Sequence, residues 1–353
     1  MAVNLQNAII GCLLGTAVGD ALGLPMEGLS RRRQRKMFPE VEGYHFLFGK
    51  GMISDDTEHT CMVAQAMIAS GGDEHRFARD LSWRMRKWLL GLPAGVGFAT
   101  LRSLLKLWMG FSPEHSGVFS AGNGPAMRSA IIGVCFGDDK KKLASLVRIS
   151  TRITHTDPKS EYGALSVALA AHMAGRHENA PGFYLRELQV ILGPGASELL
   201  ALVKRAVESA TDGQTTGAFA AELGLGNGVG GYIYHTVPVV LHAWFRHPGD
   251  YLSGIREAIE CGGDTDTVAA ILGGILGAAV GKDGIPSEMI KNLWGWPVTH
   301  PWMESLGRAL GNVVSNNEAE DTPEIFFLSS LLRNLFFLLI VLCHGFRRIF
   351  PPY

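Results

Sequence analysis

An all-α fold is what this sequence predicts. Segments rich in Ala, Leu, Met and Gly recur from one end of the 353 residues to the other, and runs that alternate Val, Ile, Thr and aromatic residues between turns are scarce. The Gly, Pro and Asp clusters fall between the apolar segments, where connections belong. With 47% of its residues apolar, the chain can bury a large core, as one large domain or two ordinary ones.

Taken in order, the pattern predicts helices over 4–22, 57–69, 74–89, 97–109, 124–136, 140–153, 160–174, 195–210, 230–246, 251–260 and 266–281. The first segment lacks a basic leader and carries Asp20 soon after its apolar part, so it reads as a core helix and not as a signal peptide. Within it Gly11, Gly15, Gly19 and Gly23 recur every four residues, and Ala269, Gly273, Gly277 and Gly281 do the same in the last of these helices. A glycine inside a helix costs about 1 kcal/mol against alanine. Two such stripes therefore imply close backbone approach that recovers the loss. Asp20 and the polar flanks argue against a membrane-dimer reading.

The organisation expected is a main domain over residues 1–314, a polar linker over 315–324 and an apolar tail over 325–353. A membrane span from Ile325 to Phe346 would put Arg333 and Asn334 at mid-depth, and the uninterrupted apolar stretch Leu335 to Cys343 is short of the roughly 20 residues a span needs. Three readings stay open: an interfacial or tail-anchoring membrane helix, a helix docked on the domain or on a partner, or disorder. Arg347 and Arg348 would suit anionic headgroups in the first.

Lys plus Arg at 32 against Asp plus Glu at 33 excludes a global attraction to nucleic acid, and the basic run Arg31, Arg32, Arg33, Arg35, Lys36 is local. Five cysteines without CxxC spacing read as reduced, mostly buried thiols, which points to the cytoplasm.

The chemistry lies at two helix starts, "SDDTEHT" at 54–60 and "GGDTDT" at 262–267. Ser and Asp are ordinary N-caps, and first-turn acids are favoured by about 0.3–1 kcal/mol. One cap would suffice at each start, yet each has two carboxylates with a hydroxyl: Ser54, Asp55, Asp56 and Asp264, Asp266, Thr267. If the two starts converge, four carboxylates meet and need a cation. An all-oxygen ligand set selects Mg²⁺ or Mn²⁺, and four carboxylates with hydroxyls exceed what one such ion takes from protein, so two ions are expected. Glu27, in a loop just past Pro25, has no structural role evident from sequence and joins the site. Asp20 is read instead as a buried carboxylate that fixes a turn.

Three loops remain. Gly122, Asn123 and Gly124 in "SAGNGPAMRSA" expose backbone amides suited to a phosphate at a helix start. "ITHTDP" offers His155 and Asp157 at another helix entrance, although a lone histidine is more often a structural hydrogen-bonder. "GLGNGVGG" at 224–231 mimics a dinucleotide fingerprint, but no strand pattern precedes it, so a Rossmann reading is rejected.

These pieces together, from "GCLLGTAVGDALGLPME" through "SDDTEHT", "GNGPAMRSA", "THTDP" and "GGYIYHTVPVVLHAW" to "GGDTDTVAAILGGILGA", resemble the ADP-ribosylglycohydrolase family in the family's own order over about residues 8–282. The resemblance implies an all-α orthogonal helical bundle with a binuclear Mg²⁺ or Mn²⁺ centre that hydrolyses the bond between ADP-ribose and an acceptor. It implies metal ligation by Ser54, Asp55, Asp56, Asp264, Asp266 and Thr267, and catalysis assisted by Glu27, Asp55 or Asp56. Gly122, Asn123 and Gly124 would line the ADP-ribose cleft, with His155 near phosphate or ribose and Tyr232 as a stacking contact. Ala121 removes a side chain that some relatives use on the ligand. The partners implied are ADP-ribosylated protein or a small ADP-ribose conjugate, with arginine linkage the first expectation. Serine-, acetyl- and nucleic-acid-linked ADP-ribose are the alternatives, beside a non-catalytic binding module or a membrane-tethered scaffold.

Overall fold

The computed structural model describes residues 4–46 and 48–351; the last two residues of the expected tail fall outside these. The chain is helical throughout, and among the described residues β-pairing is confined to isolated bridges. The first half carries α1 (Leu5–Gly23), α2 (Arg31–Met37), α3 (Asp55–Ser70), α4 (Glu74–Leu90), α5 (Phe98–Trp108), α6 (Pro113–Ser116), α7 (Gly124–Met127), α8 (Ala130–Phe136), α9 (Lys140–Arg152) and α10 (Pro158–Gly175). There follow α11 (Pro181–Leu192), α12 (Ser197–Thr211), α13 (Thr216–Glu222), α14 (Ile233–Arg246), α15 (Tyr251–Ile259), α16 (Thr265–Val280), α17 (Ser287–Lys291), α18 (His300–Asn316) and α19 (Phe327–Arg347).

Each helix expected from sequence is present, with one divided: residues 124–136 form α7 and α8, which part at Arg128 and Ser129. Helices α2, α6, α11, α13, α17 and α18 were not expected. The reason is clearest in α2, "RRRQRKM", which has Gln34 as its buried residue and therefore shows no apolar period; it is started by the Ser30 hydroxyl, which accepts from Arg33 N.

The two glycine stripes pack on each other. α1 and α16 are buried on every side, and they run antiparallel with their backbones in contact. A Cβ on Gly11 would stand 2.1 Å from the Gly277 carbonyl oxygen, one on Gly15 2.2 Å from that of Gly273, one on Gly19 2.1 Å from that of Ala269 and one on Gly23 2.3 Å from that of Thr265. Only hydrogen fits at these positions. The facing carbonyls are placed to accept weak Cα–H contacts along the seam, which offsets the propensity cost of the glycines. α1 also packs on α18, α3 and α8, and α16 on α10, α15 and α14, so the pair forms the axle of the bundle.

Residues 317–326 carry no helix and lie along α3 and α4, where Gln65 donates to Pro323 O at 2.7 Å and Arg84 pairs with Glu324 at 3.0 Å. Beyond them α19 is seated on the body by one face, with Arg333, Asn334 and Phe337 buried. Phe337 closes a small apolar cluster with Leu24, Phe46 and Met52. Among the described residues two segments are long and apolar enough to cross a membrane: Leu5–Met26 is the buried axle and Phe327–Arg347 is mostly uncovered.

The seam tolerates no added carbon. Gly15→Ala is expected to lower unfolding free energy by about 1–3 kcal/mol, because the α16 backbone at Gly273 and Gly277 stands where the new methyl would go. Gly43→Ala, where nothing lies within 4 Å, is expected to change it by less than about 0.5 kcal/mol. Urea denaturation of the two variants beside wild type measures the difference, and equal effects would refute the close approach.

Candidate active site

The antiparallel axle puts the C-terminal end of α1 beside the N-terminal end of α16. Thr265 Oγ1 donates to Gly23 O at 2.8 Å across this junction. After α1 a short 3₁₀ turn, Leu24–Met26, turns the chain outward, and a two-way backbone pairing then pins it: Gly28 N donates to Gly263 O at 2.7 Å and Gly263 N to Leu29 O at 2.9 Å. Gly263 has φ +87°, and a Cβ there would lie 2.1 Å from Val229 O, so this residue must be glycine. The pinned loop delivers Glu27 to Asp264 and Asp266, and these three carboxylates each offer an oxygen within 4.8 Å of the others.

The start of α3 joins from the other side. Asp20, fully buried in α1, accepts from Ser54 N at 2.8 Å and from Thr57 N at 3.3 Å through one oxygen, which is the turn-fixing role read from sequence. Ser54 caps α3 by accepting from Asp56 N at 3.2 Å. Thr267 Oγ1 donates to Asp56 Oδ2 at 3.2 Å, so a hydroxyl on α16 meets a carboxylate on α3. The two acidic helix starts converge.

The Gly-Asn-Gly loop forms the third wall. Asn123 N donates to Gly231 O at 2.9 Å, and its side-chain amide donates to Asp264 Oδ2 at 2.7 Å and to Thr236 Oγ1 at 3.0 Å. Asn123 therefore orients Asp264 as well as lining the cleft. Gly122 and Gly124 lie against the His155 ring: a Cβ on Gly122 would be 2.9 Å from His155 Nε2. Asp157 caps α10 by accepting from Lys159 N at 2.9 Å, a structural role.

A cavity of about 340 Å³ opens over this assembly. Of the sequence-predicted residues, Glu27, Asp55, Gly122, Asn123, Gly124, His155, Asp264, Asp266 and Thr267 line it. Ser54 and Asp56 are buried and sit outside this lining. Tyr232 is also outside it: the residue pairs through its backbone with Gly122, while its phenol oxygen accepts from Lys159 Nζ at 2.9 Å. A second cavity of about 350 Å³ between α3, α4, α18 and α19 contains none of the converging aspartates, and the chemistry belongs to the first.

Sequence reasoning missed several contributors, among them Gly95, Ser120, Met127 and Gly231 in the lining. Residues 97–100 at the start of α5 form part of the cavity wall, with Thr100 their one polar side chain and no charged group to mark them. Arg128 is fully buried beneath the loop, donating from Nη2 to Thr154 Oγ1 at 2.7 Å and to Ser150 O at 2.8 Å, and from Nη1 to Gly124 O at 3.2 Å. Its signal was available: an arginine inside the apolar run "PAMRSAII" needs buried partners.

The electrostatics follow from crowding. Burial, then the Asp20, Asp55 and Asp264 charges, raises Asp56 well above the ordinary carboxylate range; burial, then Glu27 and Asp264, does the same to Asp266. Burial and then the Asp20 charge raise Asp55, while Asp20 itself is pushed up to about 6 by burial. Glu27 is raised because its carboxyl is crowded by protein and by Asp264, although the residue as a whole reaches solvent. Burial and Arg128 hold His155 down to about 3, so it is neutral at physiological pH. One oxygen each of Asp20, Asp56 and Asp266 is buried without a hydrogen-bond donor among the described residues. Unpartnered carboxylate oxygens, mutual repulsion and an all-oxygen donor set fit a hard divalent cation.

A family model described as ADP-ribosylglycohydrolase matches residues 1–320. The ADP-ribosyl-[dinitrogen reductase] glycohydrolase of Rhodospirillum rubrum is 27% identical over 82% of this chain and 91% of its own length. The ADP-ribosylhydrolase ARH3 of Gallus gallus is 27% identical over 84% of this chain and 91% of its own. Among solved structures, a chain of an ADP-ribosylglycohydrolase-related protein complex superposes with a TM-score of 0.62 at 28% identity, covering 88% of this chain and 99% of that one.

Carboxyl groups that hold their protons more tightly when folded give stability that is complete below about pH 4 and lost as pH rises, through about 6 for Asp20. The metal-free protein should therefore melt at lower temperature as pH is raised from about 5 to about 8. Mg²⁺ or Mn²⁺ should restore the loss, and Asp266→Asn should flatten both responses. Differential scanning calorimetry with EDTA and with each ion checks this, and a cation response unchanged in the variant would count against the assignment.

Proposed function

Because the chain belongs to the ADP-ribosylglycohydrolase family, we propose that it hydrolyses the glycosidic bond between ADP-ribose and an acceptor at the carboxylate-walled cavity, with two Mg²⁺ or Mn²⁺ ions as cofactors. The observation that carries the reading is the meeting of Glu27, Asp55, Asp264 and Asp266 in one cavity, above buried carboxylate oxygens that have no donor. The acceptor proposed first is ADP-ribosylarginine on protein, the expectation the sequence resemblance carried. The Rhodospirillum rubrum relative, whose name places ADP-ribose on dinitrogen reductase, supports a protein acceptor.

Asp55, Asp56, Asp264, Asp266, Ser54 and Thr267 would hold the ions. When bound, the ions would neutralise the carboxylates and supply the Lewis acidity that makes water a nucleophile near neutral pH. Glycosidic cleavage develops positive charge at the anomeric carbon, and a wall of carboxylates stabilises that charge. Asn123 keeps Asp264 turned into the wall through its 2.7 Å hydrogen bond. Glu27, raised by crowding, is set to exchange a proton with the attacking water or the departing acceptor.

His155 has a more specific part. Thr154 Oγ1 accepts from Arg128 and can donate to Thr151 O at 3.4 Å, so the 2.9 Å contact to His155 Nδ1 is best satisfied with the proton on Nδ1. Nε2 is then an acceptor beside Gly122. A neutral acceptor suits a ribose hydroxyl better than a phosphate.

Release of free ADP-ribose from arginine- and serine-modified protein, with Mg²⁺, with Mn²⁺ and with EDTA, tests the reading. Wild type should release ADP-ribose only with a divalent ion, and Asp55→Asn and Asp266→Asn should each lose about 100-fold or more in rate. Binding of ADP-ribose without release from either substrate would favour a binding module.

A further inference from the structure

The C-terminal helix is amphipathic in the reverse of the usual sense. α19 turns its polar residues toward the protein: Arg333 Nη1 pairs with Glu58 at 3.2 Å and its Nη2 donates to Ile53 O, Asn334 donates to Gly91 O at 2.8 Å, and the His344 ring meets Pro25 O at 2.8 Å. Its outer side carries Leu328, Leu332, Leu335, Leu339, Leu342 and Phe346, spaced four and three residues apart, and all six are exposed. A surface helix in water does the opposite. Because Arg333 and Asn334 are fixed by buried partners, the helix cannot roll to hide this stripe without leaving buried donors unpaired.

We propose that this face docks on a lipid bilayer, with α19 lying in the interface and the body held at the membrane surface. The anchoring of Arg333 and Asn334 argues against a span, which would strip both of their partners. Charge agrees with an anionic surface. α19 contains no Asp or Glu, and its C-terminal end adjoins α2 through a hydrogen bond from Arg33 to Arg348 O. Arg347 there and Arg32 and Arg35 on α2 are exposed. Phe46 packs edge-on against His344 at 4.8 Å between ring centroids, and Phe48, two residues on, is fully exposed.

The four-three spacing also suits a second copy of the helix, but a paired seam is flanked by polar positions that keep the rest of the helix in water. Here the flanks are Phe336, Leu338 and Cys343, all exposed, so the outer side is a broad apolar band. A broad band with basic residues at one end matches lipid better than a narrow partner.

Sedimentation of the full chain with vesicles decides it. Wild type should pellet with phosphatidylcholine vesicles containing phosphatidylglycerol and more weakly with phosphatidylcholine alone. Leu339→Asp with Leu342→Asp should cut binding by about tenfold or more, and Arg347→Glu should weaken binding to the anionic vesicles alone. Circular dichroism and melting should show the variants folded. Wild type left in the supernatant with both vesicle types would overturn the proposal, as would a dimer by light scattering that the double variant breaks.

Discussion

Everything at the site depends on the backbone contact between α1 and α16. Four positions on α1, each a glycine, face carbonyl oxygens of α16 at distances no methyl could share. The contact aligns the end of one helix with the start of the other, so Glu27, which follows α1, meets Asp264 and Asp266, which begin α16. A wider spacing would part the carboxylates and leave the Gly263 pairing out of reach. Helix packing through side chains gives axes about 8–10 Å apart; a glycine seam allows closer approach and admits little rotation. The rigidity of the site therefore originates in the core.

The same convergence creates strain of an electrostatic kind. Asp55, Asp56 and Asp266 are raised first by burial and then by neighbouring carboxylates, Asp20 is raised by burial, and the fully buried Arg128 is committed to the Gly124 and Thr154 side of the cleft. Such an arrangement stabilises a bound cation at the expense of the empty protein. Hydroxyls of Ser54, Thr57 and Thr267 satisfy one oxygen of Asp56 and one of Asp20 and leave the other oxygen of each open. The pattern is that of a site held ready by its scaffold.

The C-terminal segment reaches the site as well as the surface. Arg333 holds Ile53 O, next to Ser54, and Arg348 donates to the carbonyls of Pro25 and Glu27 at 2.7 Å each. α19 thus braces both acidic loops from outside, although the family match ends at residue 320. Its buried cation lies over Phe337 at 4.5 Å, which keeps a charged group in a partly apolar seat.

The all-α class, the core placement of the first helix and the family were legible from residue order, because apolar period, glycine spacing and acidic helix starts are local signals. So were Glu27, Asp55, Asp264, Asp266 and the Gly-Asn-Gly loop as one chemical set, since paired carboxylates exceed what capping needs. Residues 97–100 were not legible, because a cavity wall built from Gly, Phe, Ala and a single Thr is defined by what stands opposite it. Neither was the seating of α19: Arg333 and Asn334 looked like polar groups stranded in an apolar run, and only Ile53 O, Glu58 and Gly91 O, contributed from more than two hundred residues away, explain why they turn inward. The sequence by itself determined which groups do chemistry and which helices must pack closely. Tertiary structure alone decided that the two glycine stripes face each other and that Ser54 and Asp56 lie outside the cavity lining. It also put an apolar stripe on the outside, because a side chain's partners across the core are set by packing and leave no mark in its neighbours along the chain.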